Sequence, residues 1–412
     1  MKHVIVIADG AGDRPIPELG KRTPLEAART PNLDALARES RLGVAVTTPP
    51  GWLAGSDVCT MDLLGYDPVK YHTGRAPLEA AALGVECEPS DWIFRLNLVT
   101  VGEPGTPDDG LMLDHSAGAI SDAEARELIA DLLAHWRAAR GPTLGPDQLT
   151  LTHGVSYRSI LVDRSGQIYR GLKTVPPHEI PREPWAKHVP QGEGATKLVE
   201  LTDMARQFLA RHPVNLARSR VGKRAANMIW IWGQGTKPVM PSFHERFGRH
   251  GAMITAVDLL AGIARLIGWD RLQVPGVTSY HDNDYAAQGR ATVAALGSYD
   301  IVCCHVEAPD EASHQADWKT KLAAIEAIDE KVVGPIRRGL GQSGQPWRML
   351  VLPDHYSLVS TRKHDATPVP FMIAGGMRDG KPGVRFTEQH AQATGYRIDP
   401  GHILMDAFLG ST

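Results

Sequence analysis

Four short apolar runs organise the chain: His3 to Ala8, Ile301 to Val306, Met349 to Leu352 and Phe371 to Ala374. Each is continuously apolar or β-branched rather than alternating, which suits strands buried on both faces of a parallel sheet. Helical spacing fills intervals between them, at Thr30 to Ser40, Met253 to Ile267, Tyr285 to Leu296 and Trp318 to Leu340. Pro31 fits a first helical turn with Thr30 as its cap. Strands alternating with helices predict an α/β fold, a mostly parallel sheet flanked by helices. In such sheets ligands bind beyond the carboxyl ends of the strands, and Asp9, Glu307, Asp310 and Asp354 fall there.

The pattern changes from about Trp92 to Glu245, where Pro and Gly are dense, helices fewer, and Arg and Lys recur among loops. This predicts a smaller α+β domain over residues 92–245, inserted into a core built from 1–91 and 246–412. Trp230 and Trp232 alternate as strand residues do and read as core packing. Lys223, Arg224 and Lys237 around them read as a solvated basic face.

Composition excludes more than it identifies. Lys and Arg total 44 against 47 Asp and Glu, a net charge of −3, so bulk charge suggests no nucleic-acid partner and no membrane partner. No stretch approaches the roughly 18 apolar residues of a membrane helix. The opening run meets Asp9 too soon for a secretory segment. Cys59, Cys87, Cys303 and Cys304 form no CxxC pair, and the adjacent two read as small buried residues. The expected location is the cytoplasm.

The chemistry concentrates in three stretches. In HVEAPDEASH (305–314) Asp310 and His314 are four apart, so on a helix they face the same way and can share a metal ion. LPDH (352–355) and KHDATPVPF (363–371) place Asp354, His355 and His364 at strand ends, where burial is costly without a partner such as a metal. Asp310, His314 and His364 make one candidate site, and Asp9, Asp354 and His355 a second. Mixed imidazole and carboxylate donors favour Mn²⁺, Zn²⁺ or Co²⁺ over Mg²⁺. In GWLAGSDVCTMDLLGYDP (51–68), Gly55-Ser56-Asp57 reads as a helix N-terminus, which favours an anion such as phosphate. Ser56 is a nucleophile candidate there, or a plain helix cap.

VIVIADGAGDRP with TPLEAARTPNLDALA, GSDVCTMDLLGYDP with YHTGRAPLEAAALG, WGQGTKPVMPSFHERFG, HVEAPDEASH and LPDH occur in one order through nearly the whole chain. Together they resemble the archaeal-type 2,3-bisphosphoglycerate-independent phosphoglycerate mutases of the alkaline phosphatase superfamily. The resemblance implies an alkaline phosphatase-like core with an inserted substrate-handling domain that closes over a cleft. It implies two divalent metal ions, Mn²⁺ first, with Zn²⁺, Co²⁺ or Mg²⁺ as alternatives. Asp310, His314 and His364 would hold one, and Asp9, Asp354, His355 and the Ser56 oxygen the other. Ser56 would be transiently phosphorylated during a glycolytic interconversion of 3-phosphoglycerate and 2-phosphoglycerate, a small phosphorylated metabolite being the partner. Arg75 in HTGRAP and Arg158 in HGVSYRSILV suit bidentate grasp of phosphate or carboxylate and are expected to bind substrate, and Asn97 and His153, where this family keeps polar residues near the domain junction, are expected to bind it with them.

The sequence departs from that pattern in places. LPDHYSLVSTRKHDATP replaces the usual Ser or Pro then Thr-Pro after the Asp-His pair, Ala119 in DHSAGAIS stands where an arginine is common, and Arg290 where a lysine is frequent. These changes bear on the substrate, and leave a phosphohydrolase, a homoserine kinase-like transferase, or a non-catalytic phosphometabolite-binding protein as alternatives.

Overall fold

The computed structural model describes residues 1–139, 148–376 and 383–410. The chain divides into two compact units, residues 1–72 with 240–412, and residues 73–239. Among the described residues no helix is long and apolar enough to cross a membrane.

The first unit is an eight-stranded sheet in the order Arg397–Ile398, Arg41–Ala45, Val369–Ala374, Trp347–Leu352, Lys2–Ala8, Ile301–Val306, Gly251–Ile254, Asp270–Arg271. The four apolar runs lie side by side in its middle. Ile5, Cys303, Leu350 and Ile373 are all fully buried, as strands covered on both faces require. The strand Val369–Ala374 runs antiparallel to both neighbours, where the sequence suggested a parallel member. Cys303 and Cys304 are buried free thiols.

Two helix expectations need correction. The segment from Met253 is not helical from its start, since Gly251–Ile254 is a strand on the edge of Ile301–Val306 and the helix begins at Asp258. Four apolar residues followed by an amphipathic helix carry no break that spacing reveals. Thr30 precedes the helix Pro31–Ala37, but its side chain makes no cap hydrogen bond. The Asp329 carboxylate takes that role, accepting from the Asn32 and Leu33 N–H groups at 3.2 and 2.6 Å. Asp329 projects from a π-helical stretch, Ile328–Val333, that interrupts the long helical segment starting at Trp318.

In the second unit Trp92–Val101 is the central strand, paired antiparallel with Arg158–Asp163 and Met228–Thr236. Its residues alternate. Phe94, Leu96 and Leu98 join the core formed with the helices Asp122–Ala138 and Ala195–Leu209, while Val99 lies with Trp230 and Trp232 in another cluster. The unit begins at Thr73 rather than 92 and ends at Val239 rather than 245. The helix Arg75–Ala82 packs Ala76 and Ala80 on Ile93, Ile160 and Val162 of this sheet, so it belongs here and not to the core.

Candidate metal centre and nucleophile

Three strand ends and two short elements of the first unit deliver the candidate residues. Asp9 follows Lys2–Ala8 directly, Asp354 and His355 follow Trp347–Leu352, and Asp310 and His314 share the helix Ala308–His314 after Ile301–Val306. His364 sits on Lys363–Asp365, which pairs with Tyr356–Leu358 as a two-stranded ribbon. Asp9, Asp354 and His355 are 1 % exposed or less, and Asp310 4 %.

Their donor atoms converge in two groups, Asp310 with His314 and His364, and Asp9 with Asp354 and His355. In the first, Asp310 Oδ2 lies 3.1 Å from His314 Nε2 and its Oδ1 3.3 Å from His364 Nε2. The two imidazole Nε2 atoms are 3.0 Å apart. Nδ1 of His314 faces the Arg362 carbonyl at 3.0 Å and Nδ1 of His364 the Ala54 carbonyl at 3.2 Å. Each carbonyl only accepts, so each Nδ1 carries a proton and the two Nε2 atoms are left facing Asp310 and each other. Burial opposes a charged His364, but Asp310 outweighs it and lifts the ring to about 9.

In the second group His355 Nε2 is 3.5 Å from Asp9 Oδ1 and 3.4 Å from Asp354 Oδ2. Neither of those carboxylate oxygens has a hydrogen-bond donor. Burial, and then the Asp9 charge, lift Asp354 to about 7. Two carboxylates taken out of water beside one another are costly unless a cation accompanies them. The orphaned oxygens, the facing Nε2 atoms and the mixed nitrogen and oxygen donor set all fit divalent metal ions.

Ser56 opens the eight-residue helix Ser56–Leu63, with Gly55 at the cap position, so Ser56 does not cap it. Its Oγ lies 3.3 Å from His355 Nε2. Asp57 behind it is buried and paired with His72 Nε2 at 2.9 Å.

Three neighbours complete the site: His305 and Ser357, which sequence spacing passed over, and Glu307, which the sequence placed at a strand end without a role. His305 donates Nε2–H to Asp9 Oδ2 at 2.7 Å, while its Nδ1 meets the Thr255 hydroxyl at 3.0 Å. Glu307 Oε2 is 3.5 Å from His305 Nε2, and burial with the Asp9 charge holds Glu307 well above the usual carboxylate range. Ser357 touches Asp310 and His355. For His305 the available signal was the residue itself, the first of HVEAPDEASH, a polar side chain in a buried strand.

Arg75, Asn97, His153 and Arg158 all lie in the second unit. Arg75 and Arg158 are exposed. Asn97 is buried, opposite Arg158 in register, and is engaged by the His115 carbonyl at 3.3 Å and Trp232 Nε1 at 3.1 Å. His153 Nε2 meets Asp122 Oδ1 at 3.0 Å. Arg224 lies beside Asp114 at 3.0 Å and donates to the Leu113 carbonyl.

Residues 37–215 match the family model described as 2,3-bisphosphoglycerate-independent phosphoglycerate mutase. The chain is 44 % identical over 98 % of its length to the protein of that name from Methanothrix thermoacetophila, 98 % of which is covered. It is 43 % identical over 99 % of its length to a probable 2,3-bisphosphoglycerate-independent phosphoglycerate mutase of Geobacter sulfurreducens, covered in full. Among solved structures, the cofactor-independent phosphoglycerate mutase of Thermoplasma acidophilum matches with a TM-score of 0.66 at 27 % identity, over 100 % of both chains. A solved protein of Pyrococcus horikoshii matches with a TM-score of 0.78 at 28 % identity, over 100 % of this chain and 98 % of that one.

Proposed function

The chain belongs to the 2,3-bisphosphoglycerate-independent phosphoglycerate mutases, and we propose that it interconverts 3-phosphoglycerate and 2-phosphoglycerate through a phosphoserine at Ser56. The observation that carries this reading is the placing of Ser56 Oγ at a helix N-terminus and 3.3 Å from His355 of the second donor group.

Asp310, His314 and His364 would hold one divalent ion, and Asp9, Asp354 and His355 with the Ser56 oxygen the other. Bound there, such ions, Mn²⁺ foremost, would favour loss of the Ser56 proton and neutralise charge on the transferred phosphoryl group. Ser56 Oγ gives up its proton and attacks phosphorus, the bond from phosphorus to the O3 oxygen breaks, and that oxygen takes up a proton. The N–H groups of the first helical turn favour the anionic phosphoryl group. In the return step the other glycerate hydroxyl gives up its proton and attacks phosphorus, and the Ser56 ester bond breaks. Asp57, held by His72, stiffens the turn that aims Ser56. In the second unit the exposed guanidinium groups of Arg75 and Arg158 are assigned to substrate phosphate or carboxylate, whereas Asn97 and His153, the other two substrate-binding candidates, have side-chain partners within the unit.

The test is to incubate Mn²⁺-loaded protein with 3-phosphoglycerate, without bisphosphoglycerate, and follow ³¹P signals to equilibrium. Formation of 2-phosphoglycerate without inorganic phosphate is expected, with Ser56→Ala inactive and chelated enzyme restored better by Mn²⁺ than by Ca²⁺. Release of inorganic phosphate would identify a hydrolase on the same core. Unchanged turnover in Ser56→Ala would remove the phosphoserine step.

A further inference from the structure

Ser357 stands between the two donor groups without belonging to either. It lies on Tyr356–Leu358, two residues beyond His355 and directly opposite His364 in the ribbon, and is 1 % exposed. Its hydroxyl donates to Asp310 Oδ1 and its oxygen is 3.2 Å from His355 Nδ1. A serine hydroxyl has one proton. With that proton committed to the Asp310 carboxylate, the oxygen meets Nδ1 as an acceptor, so Nδ1 must carry the imidazole proton. His355 Nε2 then keeps its lone pair and presents it toward Asp9 Oδ1, Asp354 Oδ2 and Ser56 Oγ, at 3.5, 3.4 and 3.3 Å.

The backbone of Ser357 is pinned from both sides. Its N–H donates to the Gly12 carbonyl at 3.1 Å, and its carbonyl accepts from the Lys321 ammonium at 2.7 Å. Lys321 is fully buried and also reaches Asp13 Oδ2 at 2.9 Å and the Gly12 carbonyl at 3.3 Å, so it ties the loop after Asp9 to the strand after His355. Gly10 leaves the hydroxyl its space. Its φ is +58°, and a Cβ there would stand 2.5 Å from Ser357 Oγ and 2.7 Å from Asp310 Oδ1.

We propose that Ser357 is a positioning residue whose single hydroxyl fixes the tautomer of His355 and the orientation of Asp310, setting ligand atoms in both groups at once. The proposal rests on the two-metal reading given above. Without the hydroxyl, Asp310 Oδ1 loses a donor and the His355 proton is free to move to Nε2, where it covers the lone pair. Removing such outer partners typically weakens metal binding by about 10–100-fold.

Two readouts on the full-length protein test this, neither of them turnover. In metal-free protein carrying ¹⁵N-labelled histidine, at a pH where the ring is neutral, NMR should show His355 as the Nδ1–H tautomer. Ser357→Thr should keep that tautomer and Ser357→Ala should lose it. Calorimetric titration with Mn²⁺ should give two equivalents for wild type and Ser357→Thr, and about 10–100-fold weaker binding for Ser357→Ala. An Nε2–H tautomer in wild type would overturn the proposal whether or not the alanine variant folds. Two tight equivalents in Ser357→Ala, matching wild type, would overturn it as well. Wild type that binds no Mn²⁺ would instead bring down the two-metal reading, and the metal role of Ser357 with it.

Discussion

Asp163 and Asp354 are buried carboxylates at or just past the end of a buried strand, one in each unit, and their surroundings treat them in opposite ways. Asp163 is fully engaged. Lys197 Nζ lies 2.8 Å away, the Tyr169 hydroxyl donates at 2.5 Å and the Ser165 N–H at 2.8 Å. Asp354 accepts from the Gly10 and His355 N–H groups on one oxygen and has no donor for the other, and the neighbouring charge that acts on it most is another carboxylate, Asp9. Burial depth is therefore no guide to function here. What separates a structural charge from a functional one is whether the protein itself completes its hydrogen bonds.

That contrast breaks first at Asp163. Asp163→Asn leaves the Lys197 ammonium buried without a counter-charge, and a loss of about 3–5 kcal/mol of unfolding free energy is expected in chemical denaturation with chelator present. Burial works against the charged form, but Lys197 and the surrounding hydroxyls hold Asp163 below the usual carboxylate range. Its stabilising contribution is thus complete above the ordinary carboxylate pKa and fades as pH falls below about 4, through the still lower value of the folded state. Unchanged stability in the variant would show the pair to be dispensable.

A second expectation concerns a polar group that is orphaned but has no other donors converging on it. His3 sits in the same strand that leads to Asp9, with neither ring nitrogen hydrogen-bonded and the Phe408 ring edge-on at 5.3 Å. Burial first, and then Arg249 and Arg348, push its pKa down to about 4. The folded state keeps the ring neutral where the unfolded chain protonates, so His3 makes stability fall as pH drops from about 6.5 to 4. The difference between wild type and His3→Leu across that window should be on the order of 2–3 kcal/mol. Parallel stability curves for the two proteins would contradict the assignment.

The sequence revealed much of this arrangement where the signal was local. The four apolar runs became neighbouring central strands, and the i, i+4 spacing of Asp310 and His314 put both side chains on one helix face. Local signals failed where the partner was distant in the chain. The cap on Pro31–Ala37 comes from Asp329, the partner of Asp9 is His305, and Ser357 meets Asp310 across an intervening helix and strand. No periodicity encodes such pairings, because they exist only once the sheet order is set. The boundary of the second unit shifted for a related reason. Residues 75–82 fall within the expected core until the alanines of the helix Arg75–Ala82 are seen to pack with Ile93 and Ile160.

The smallest expected effect separates the two carboxylates by sign. Asp354→Asn removes a charge that burial disfavours, retains an oxygen for the Gly10 and His355 N–H groups, and offers an amide donor toward the orphaned Asp9 Oδ1. In chelator the variant should therefore be more stable than wild type, by about 1–2 kcal/mol, whereas the same change at Asp163 is destabilising. With excess Mn²⁺ the order should reverse, because wild type gains RT ln(1 + [L]/Kd) from each ion it holds and the variant forfeits the ion at its altered group. The check is a pair of thermal melts per protein, with chelator and with Mn²⁺. An Asp354→Asn protein that is less stable than wild type under both conditions would mean that this carboxylate is held by the fold after all, as Asp163 is, and that the argument from orphaned oxygens to a metal centre does not hold for the second group.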